Sequence, residues 1–301
     1  MGYLFLSIAL IVGTAKGYCG KKTSSAIETK TDSMILNLFR MILCILIGFL
    51  LTVWQNGFAT LLPNTAILLI SALSGIATSM FVICWLLSVR TGSYMMVEVF
   101  LLLGVTVPIV LCRVLFSEKI AALQVVGIAV LLIAIYIMTA YNSSVKGKMN
   151  FTAFLLLLLC GFSNGMVDFS QKLFVKIVPQ GSIAVFNFYT YIFSALTLAI
   201  VYYVFRATDT REGENVRKPI VVIKSSWYFI VIMAVCLFAN SFFKTQAAQY
   251  LDAVLLYPLS QGCAVILSLL MAAVFFKEKI TVKCVAGIFL SFVALLMINF
   301  G

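Results

Sequence analysis

Asn164, Asp168, Gln171 and Lys172 fall at i, i+4, i+7 and i+8 of a stretch otherwise made mainly of Phe, Leu, Val, Gly and Met. On a helix those positions share one face. Amide, carboxylate and ammonium groups on one face can bind a polar solute by hydrogen bonds and charge. They can also satisfy each other: Asp168 and Lys172 are one turn apart and suited to pair. Lys16 lies among Gly13, Gly17 and Gly20, at the place matching Asn164 when the chain is shifted by 148. The two could face one cavity, or Lys16 could snorkel to an interface. Lys244 stands near the middle of another apolar run, with Asn240 one turn before it. It is too deep to snorkel easily and is the best single candidate for a charge facing substrate. Tyr257 and Gln261 flank Pro258, which frees a backbone carbonyl that a cavity could use.

Glu98 is the acid well inside an apolar run of the N-terminal half. A carboxylate taken out of water can exchange its proton nearer neutral pH. Glu98 and Asp168 are therefore the candidates for proton coupling, unless Glu98 is paired structurally with Arg90 or Arg113. Asn187 and Tyr191 are weaker candidates, because aromatic spacing there fits packing.

Other chemistry is poorly supported. The chain has no histidine, so a Ser-His-Asp set or a histidine metal site is excluded. The eight cysteines are scattered, form no CxxC and fit small apolar packing residues, so no metal is expected. Gly13-x-x-x-Gly17 and Gly161-x-x-x-Gly165 are packing signals. No strand precedes them and no Lys-Thr pair closes them, so neither is a phosphate loop. No cofactor and no enzymatic activity are expected.

These polar residues need a scaffold, and composition names it. The chain has 301 residues, 63% hydrophobic and 10% charged, with mean hydropathy +1.14. Soluble domains run about half apolar and a quarter charged. A bilayer accommodates such a chain, at about 20 residues per helical span. Apolar runs predict helices near 2–24, 34–54, 64–89, 93–115, 120–140, 151–176, 182–206, 225–250, 253–275 and 281–299. Met1 to Ala15 has the apolar run of a signal peptide but no basic residue before it, and a helix is preferred. The mixed-charge stretch Ala207–Lys224 fits a solvated connector.

The two halves resemble each other. Shifted by 160, residues 71–140 lie on 231–300 without a gap, and Phe116-Ser117-Glu118-Lys119-Ile120 falls on Phe276-Lys277-Glu278-Lys279-Ile280. The expected organisation is a five-helix repeat over 1–140, a linker over 141–150 and a second repeat over 151–301. Five is odd, so the copies enter the membrane from opposite sides. The expected fold is an all-α polytopic membrane protein of ten transmembrane helices in two inverted five-helix repeats. Such repeats recur in secondary transporters, with the substrate site at the repeat interface.

Ten helices in two such repeats resemble the drug/metabolite transporter superfamily in its EamA-type branch. The likeness rests on the F-S-E-K-I and F-K-E-K-I segments, on Tyr257-Pro258-Leu259-Ser260 in the ninth helix and on Arg40 early in the second. Two positions depart from the pattern: Glu98 stands where Pro258 sits in the second half, and Thr190 aligns with Arg40. The resemblance implies a transporter fold and leaves the substrate open.

The expected function is secondary transport, as exporter or exchanger, of a small polar or amphipathic metabolite across the cell membrane. The rivals are a passive channel or facilitator and a non-transporting scaffold or lipid-handling protein. A lining of lysines favours a carboxylate or phosphate on the substrate. The partners expected are that small molecule and membrane lipid, with no nucleic acid and with a monomer as the working state. The net charge of +11 fits membrane orientation better than nucleic-acid binding. Most Lys and Arg fall in loops after odd-numbered spans, which would place both termini outside the cytoplasm, whereas the family usually has both inside.

Overall fold

The computed structural model describes residues 1–24, 27, 29–91, 94–116, 121–146, 150–208, 219–277 and 281–300. Every regular element among them is helical: α1 (Gly2–Ser24), α2 (Lys30–Asn56), a 3-10 turn (Phe58–Leu61), α3 (Thr65–Thr91), α4 (Tyr94–Gly104), α5 (Thr106–Phe116), α6 (Ala122–Lys146), α7 (Phe151–Ile177), α8 (Ile183–Thr208), α9 (Pro219–Tyr250), α10 (Ala253–Val274) and α11 (Val282–Phe300). Eight helical stretches are long and apolar enough to cross a membrane, counting α4 and α5 as one. The apolar parts of α6 and α11, Ala122–Ala134 and Val285–Met297, are shorter.

Local chemistry sets several boundaries. The helix expected from 34 begins at Lys30, because Thr29 accepts from the Asp32 amide (3.0 Å) while Asp32 accepts from the Thr29 amide (3.1 Å). This reciprocal cap satisfies two amides that would otherwise lack partners. The helix expected over 93–115 is broken at Val105 between α4 and α5. Pro108 has no amide to donate to the Gly104 carbonyl, and its ring crowds that carbonyl. The helix expected from 225 begins at Pro219, with non-helical backbone at Ser226. The expected linker 141–150 is partly helix, since α6 continues to Lys146. Residues 147–149 lie outside the described residues, as do Glu118 and Glu278 of the two repeated segments.

Packing runs mainly between the N-terminal and C-terminal sets of helices. Helix α1 packs on α9, α3 on α7, α2 on α8 and α6 on α11; α3 also meets α8, α2 meets α9, α4 meets α7 and α10 meets α1. A close backbone approach joins α4 to α7. A Cβ on Gly104 would strike the Gly161 carbonyl, one on Gly161 the Phe100 carbonyl, and one on Gly165 the Gly104 carbonyl. Backbone meets backbone here, so no side-chain movement could make room. The packing reading of Gly161-x-x-x-Gly165 therefore holds.

The outer surface is apolar. Leu46, Leu50, Leu69, Ile133, Ile200, Phe289 and many like them are exposed. Exposed aromatic residues stand near helix ends: Trp54 on α2, Tyr203 on α8, and Tyr250 on α9. Trp227 and Tyr228 stand just past the Ser226 break. Trp and Tyr concentrate where a membrane meets water. The described molecule is that of a multi-pass membrane protein.

Candidate functional site

A set of the interior polar residues gathers round a cavity of about 80 Å³. One water needs roughly 10–15 Å³ on the same measure, so the space holds several. Lys16 (with Gly13 and Gly17) comes from α1, Phe81 and Trp85 from α3, Tyr94 and Glu98 from α4, Asn164 from α7, Asn240 and Lys244 from α9, and Ser260, Gln261 and Ser268 from α10. The α1 glycines leave room for the opposite wall: a Cβ on Gly13 would sit 2.9 Å from Asn240 Nδ2, and one on Gly17 would strike the Tyr94 hydroxyl.

The polar stripe on α7 faces inward, as its spacing predicts, but its members do different jobs. Asn164 lines the cavity. Asp168, 2% exposed, accepts through Oδ1 from Lys244 Nζ at 2.7 Å. Its bonded ion partner is thus on α9, not Lys172 one turn away. The Lys244 ammonium lies 5.5 Å from the centre of the Tyr257 ring, whose hydroxyl donates to the Asp168 carbonyl at 2.6 Å. Tyr257 braces this pair from beneath and does not line the cavity. Gln171 donates to Ser241 (3.2 Å), which donates to Asn187 (2.6 Å), so these three tie α7, α9 and α8 together.

Lys172 does not line the cavity, and its placement there from sequence is corrected. Its ammonium donates to the carbonyls of Ala248 (3.1 Å) and Leu251 (2.8 Å), at and just past the end of α9. Those carbonyls lack helical partners and carry the negative end of the helix dipole, so a cation there stabilises the helix end. Lys172→Met should lower the melting temperature by the equivalent of about 1–3 kcal/mol. Solute flux per folded molecule should stay at the wild-type level, which a thermal melt and a vesicle flux assay read separately. A flux defect without a stability loss would return Lys172 to the binding site.

Glu98, 7% exposed, has the Tyr94 and Ser268 hydroxyls and the Trp85 indole as hydrogen-bonding neighbours, and the Lys16 charge acts on it. Arg113 is exposed in the last turn of α5, and the Arg90 side chain lies outside the described residues. Lys16 is turned inward rather than snorkelling, with its ammonium 5.8 Å from the centre of the Phe81 ring. Pro258 stays within α10 and lines a separate apolar hollow with Leu259 and Phe292. Cys19, Cys44, Cys84, Cys112 and Cys160 are buried and in no disulfide, as packing residues would be.

Sequence reasoning missed Trp85, Tyr94 and Ser268 as lining residues. Aromatic and serine residues in an apolar helix give no signal of which face they occupy. Asn240 was visible beside Lys244; it donates to the Ala9 carbonyl at 2.7 Å and so also holds α1 to α9.

No protein-family model matches the sequence, and no curated protein matches it. Among solved structures, a crystal structure superposes with a TM-score of 0.65 over 98% of this chain and 95% of that chain. The two sequences are 12% identical. This likeness shows a shared fold, and no activity follows from it.

Proposed function

We propose that the protein is a secondary transporter of a small polar metabolite in the cell membrane. It would be built as ten spans in two inverted five-helix repeats and work by alternating access. The observation that carries this reading is the cavity lined by charged residues inside an apolar helical molecule. Ionisable groups at membrane depth are costly and mark solute or ion pathways. The lining fits the repeat: with α4 and α5 as the fourth span, it comes from spans one, three and four and from spans six, eight and nine. The packing supports the same arrangement. Exchanging each span for the one five later turns α1 on α9 into α7 on α3, turns α10 on α1 into α4 on α7, and leaves α2 on α8 and α6 on α11 in place. The likeness to the EamA-type drug/metabolite transporters agrees with this plan. With no nucleotide-binding loop, the energy comes from an ion or solute gradient.

Counterflow tests the reading. Vesicles carrying the purified protein are loaded with one solute from a panel of amino acids, nucleosides, sugar phosphates, organic acids and cationic drugs. A trace of labelled solute is then added outside. Saturable uptake against the label's own gradient is the expected result. Flux without saturation or counterflow would make the protein a passive facilitator. No flux with any solute would point to a scaffold or lipid-handling role.

A further inference from the structure

We propose that the transported solute carries an oxyanion, a carboxylate or a phosphate, and that Lys16 and Arg40 together hold it. This rests on the transporter reading above and names its substrate class. Arg40, on α2, is 3% exposed. It lines a hollow of about 10 Å³ with Lys16, Phe81, Val82, Trp85 and Leu237, and Lys16, Phe81 and Trp85 also line the main cavity. Lys16 therefore stands at the junction of the two spaces, with Arg40 beyond it. The smaller one holds a single water-sized group, which is the size of one oxyanion oxygen.

Among the described residues, the two cations have one neighbouring acid between them, Glu98, which acts on Lys16. Neither Lys16 nor Arg40 makes an ion pair or a hydrogen bond among the described residues, and Arg40 Nε is buried without any partner. Lys16 feels the Arg40 charge as a repulsion, the Lys244 charge likewise, and Glu98 as an attraction. Asp168 is already held by Lys244. Among the described residues, the titratable neighbours of Arg40 are Cys44 on its own helix, the Tyr191 hydroxyl of α8 and Lys16. A guanidinium taken out of water normally has a carboxylate or a full set of acceptors. An oxyanion bridging Lys16 and Arg40 supplies both, because a planar guanidinium and an ammonium bind carboxylate and phosphate oxygens strongly. The Asn164 amide, whose Nδ2 is also buried without a partner, stands on the wall of the main cavity and can receive the solute's neutral part.

The test is a thermal-shift titration of the detergent-purified full chain. The probes are inorganic phosphate, glycerol 3-phosphate, acetate and succinate, with glucose and choline as neutral and cationic controls. Saturable stabilisation by at least one oxyanion and none by the controls is expected. Phosphate-bearing and carboxylate probes separate the two sources of the oxyanion. Lys16→Gln and Arg40→Gln should each weaken the effective probe by about 10- to 100-fold, the usual loss for one charge-assisted bond. Lys172→Met should leave its affinity unchanged. If Arg40→Gln does not yield folded protein, Arg40→Lys, which keeps the charge, takes its place and should bind more weakly than wild type. Stabilisation by the neutral or cationic control alone would overturn the proposal. So would oxyanion affinity unchanged in the Lys16 and Arg40 variants, or no stabilisation by any oxyanion. Counterflow with a neutral or cationic solute would keep the transporter and remove the oxyanion. Oxyanion binding that depends on both cations, without counterflow, would keep the site and remove the transport.

Discussion

Lys244→Met is expected to cost the protein about 3–5 kcal/mol of stability and to abolish counterflow. The magnitude follows from what would be left behind. Asp168 is 2% exposed, and Lys244 Nζ at 2.7 Å is the donor on its Oδ1, while Oδ2 has no hydrogen-bond partner. Removing one member of a buried ion pair strands the other charge in a medium that cannot solvate it. Asp168→Asn should be destabilising as well, because it strands Lys244. Replacing both, as Asp168→Asn with Lys244→Gln, removes both charges and should restore much of the melting temperature. Counterflow should not return, since the ammonium on the cavity wall is gone. A melting temperature within about one degree of wild type in either single variant would mean that the pair is solvated or relieved elsewhere. Restored stability together with restored counterflow would make the pair purely structural.

Glu98→Gln should abolish gradient-driven accumulation and leave exchange intact. Glu98 lines the cavity, and its surroundings come from four helices: Lys16 on α1, Trp85 on α3, its own neighbour Tyr94 on α4, and Ser268 on α10. Buried Cys160 on α7 also feels its charge. Ionised Glu98 attracts the Lys16 ammonium; protonated Glu98 releases it to a solute anion. A proton and an anion would thereby travel together. A gradient of about one pH unit supplies about 1.4 kcal/mol, enough for a tenfold solute ratio. Glutamine keeps the shape and hydrogen bonds of the protonated acid but cannot lose the proton. Vesicles with Glu98→Gln should therefore equilibrate labelled solute by counterflow at near wild-type rate, yet fail to concentrate it when a pH gradient is imposed. Concentration equal to wild type would remove Glu98 from coupling and leave Asp168 as the acid to examine.

Much of the scaffold was legible because its signals are local. An apolar run of about 20 residues states a helix without reference to the rest of the chain, and the helices stand within a few residues of their expected positions. Two of the differences have local causes: the Thr29–Asp32 cap started α2 early, and Pro108 divided the span that holds Glu98. Charged and amide residues in apolar runs are costly enough to be noticed. That is why Lys16, Glu98, Asn164, Asp168, Lys244 and Gln261 could be singled out before any packing was known.

Periodicity also placed Asn164, Asp168, Gln171 and Lys172 on one inward face. It could not say what that face meets. The obvious partner for Asp168 was Lys172, four residues away, yet the bonded one is Lys244 on α9. Lys172 instead reaches the carbonyls at the end of that helix. The contact of α4 with α7 depends on glycines 104, 161 and 165, whose missing side chains let two backbones touch. That approach helps bring Glu98 and Asn164 to the same cavity. Helical spacing thus determined which residues share a face. Only tertiary packing decided which faces meet, because the ion pair and the glycine contact join residues far apart in the chain, and the local pattern of one helix does not name its partner.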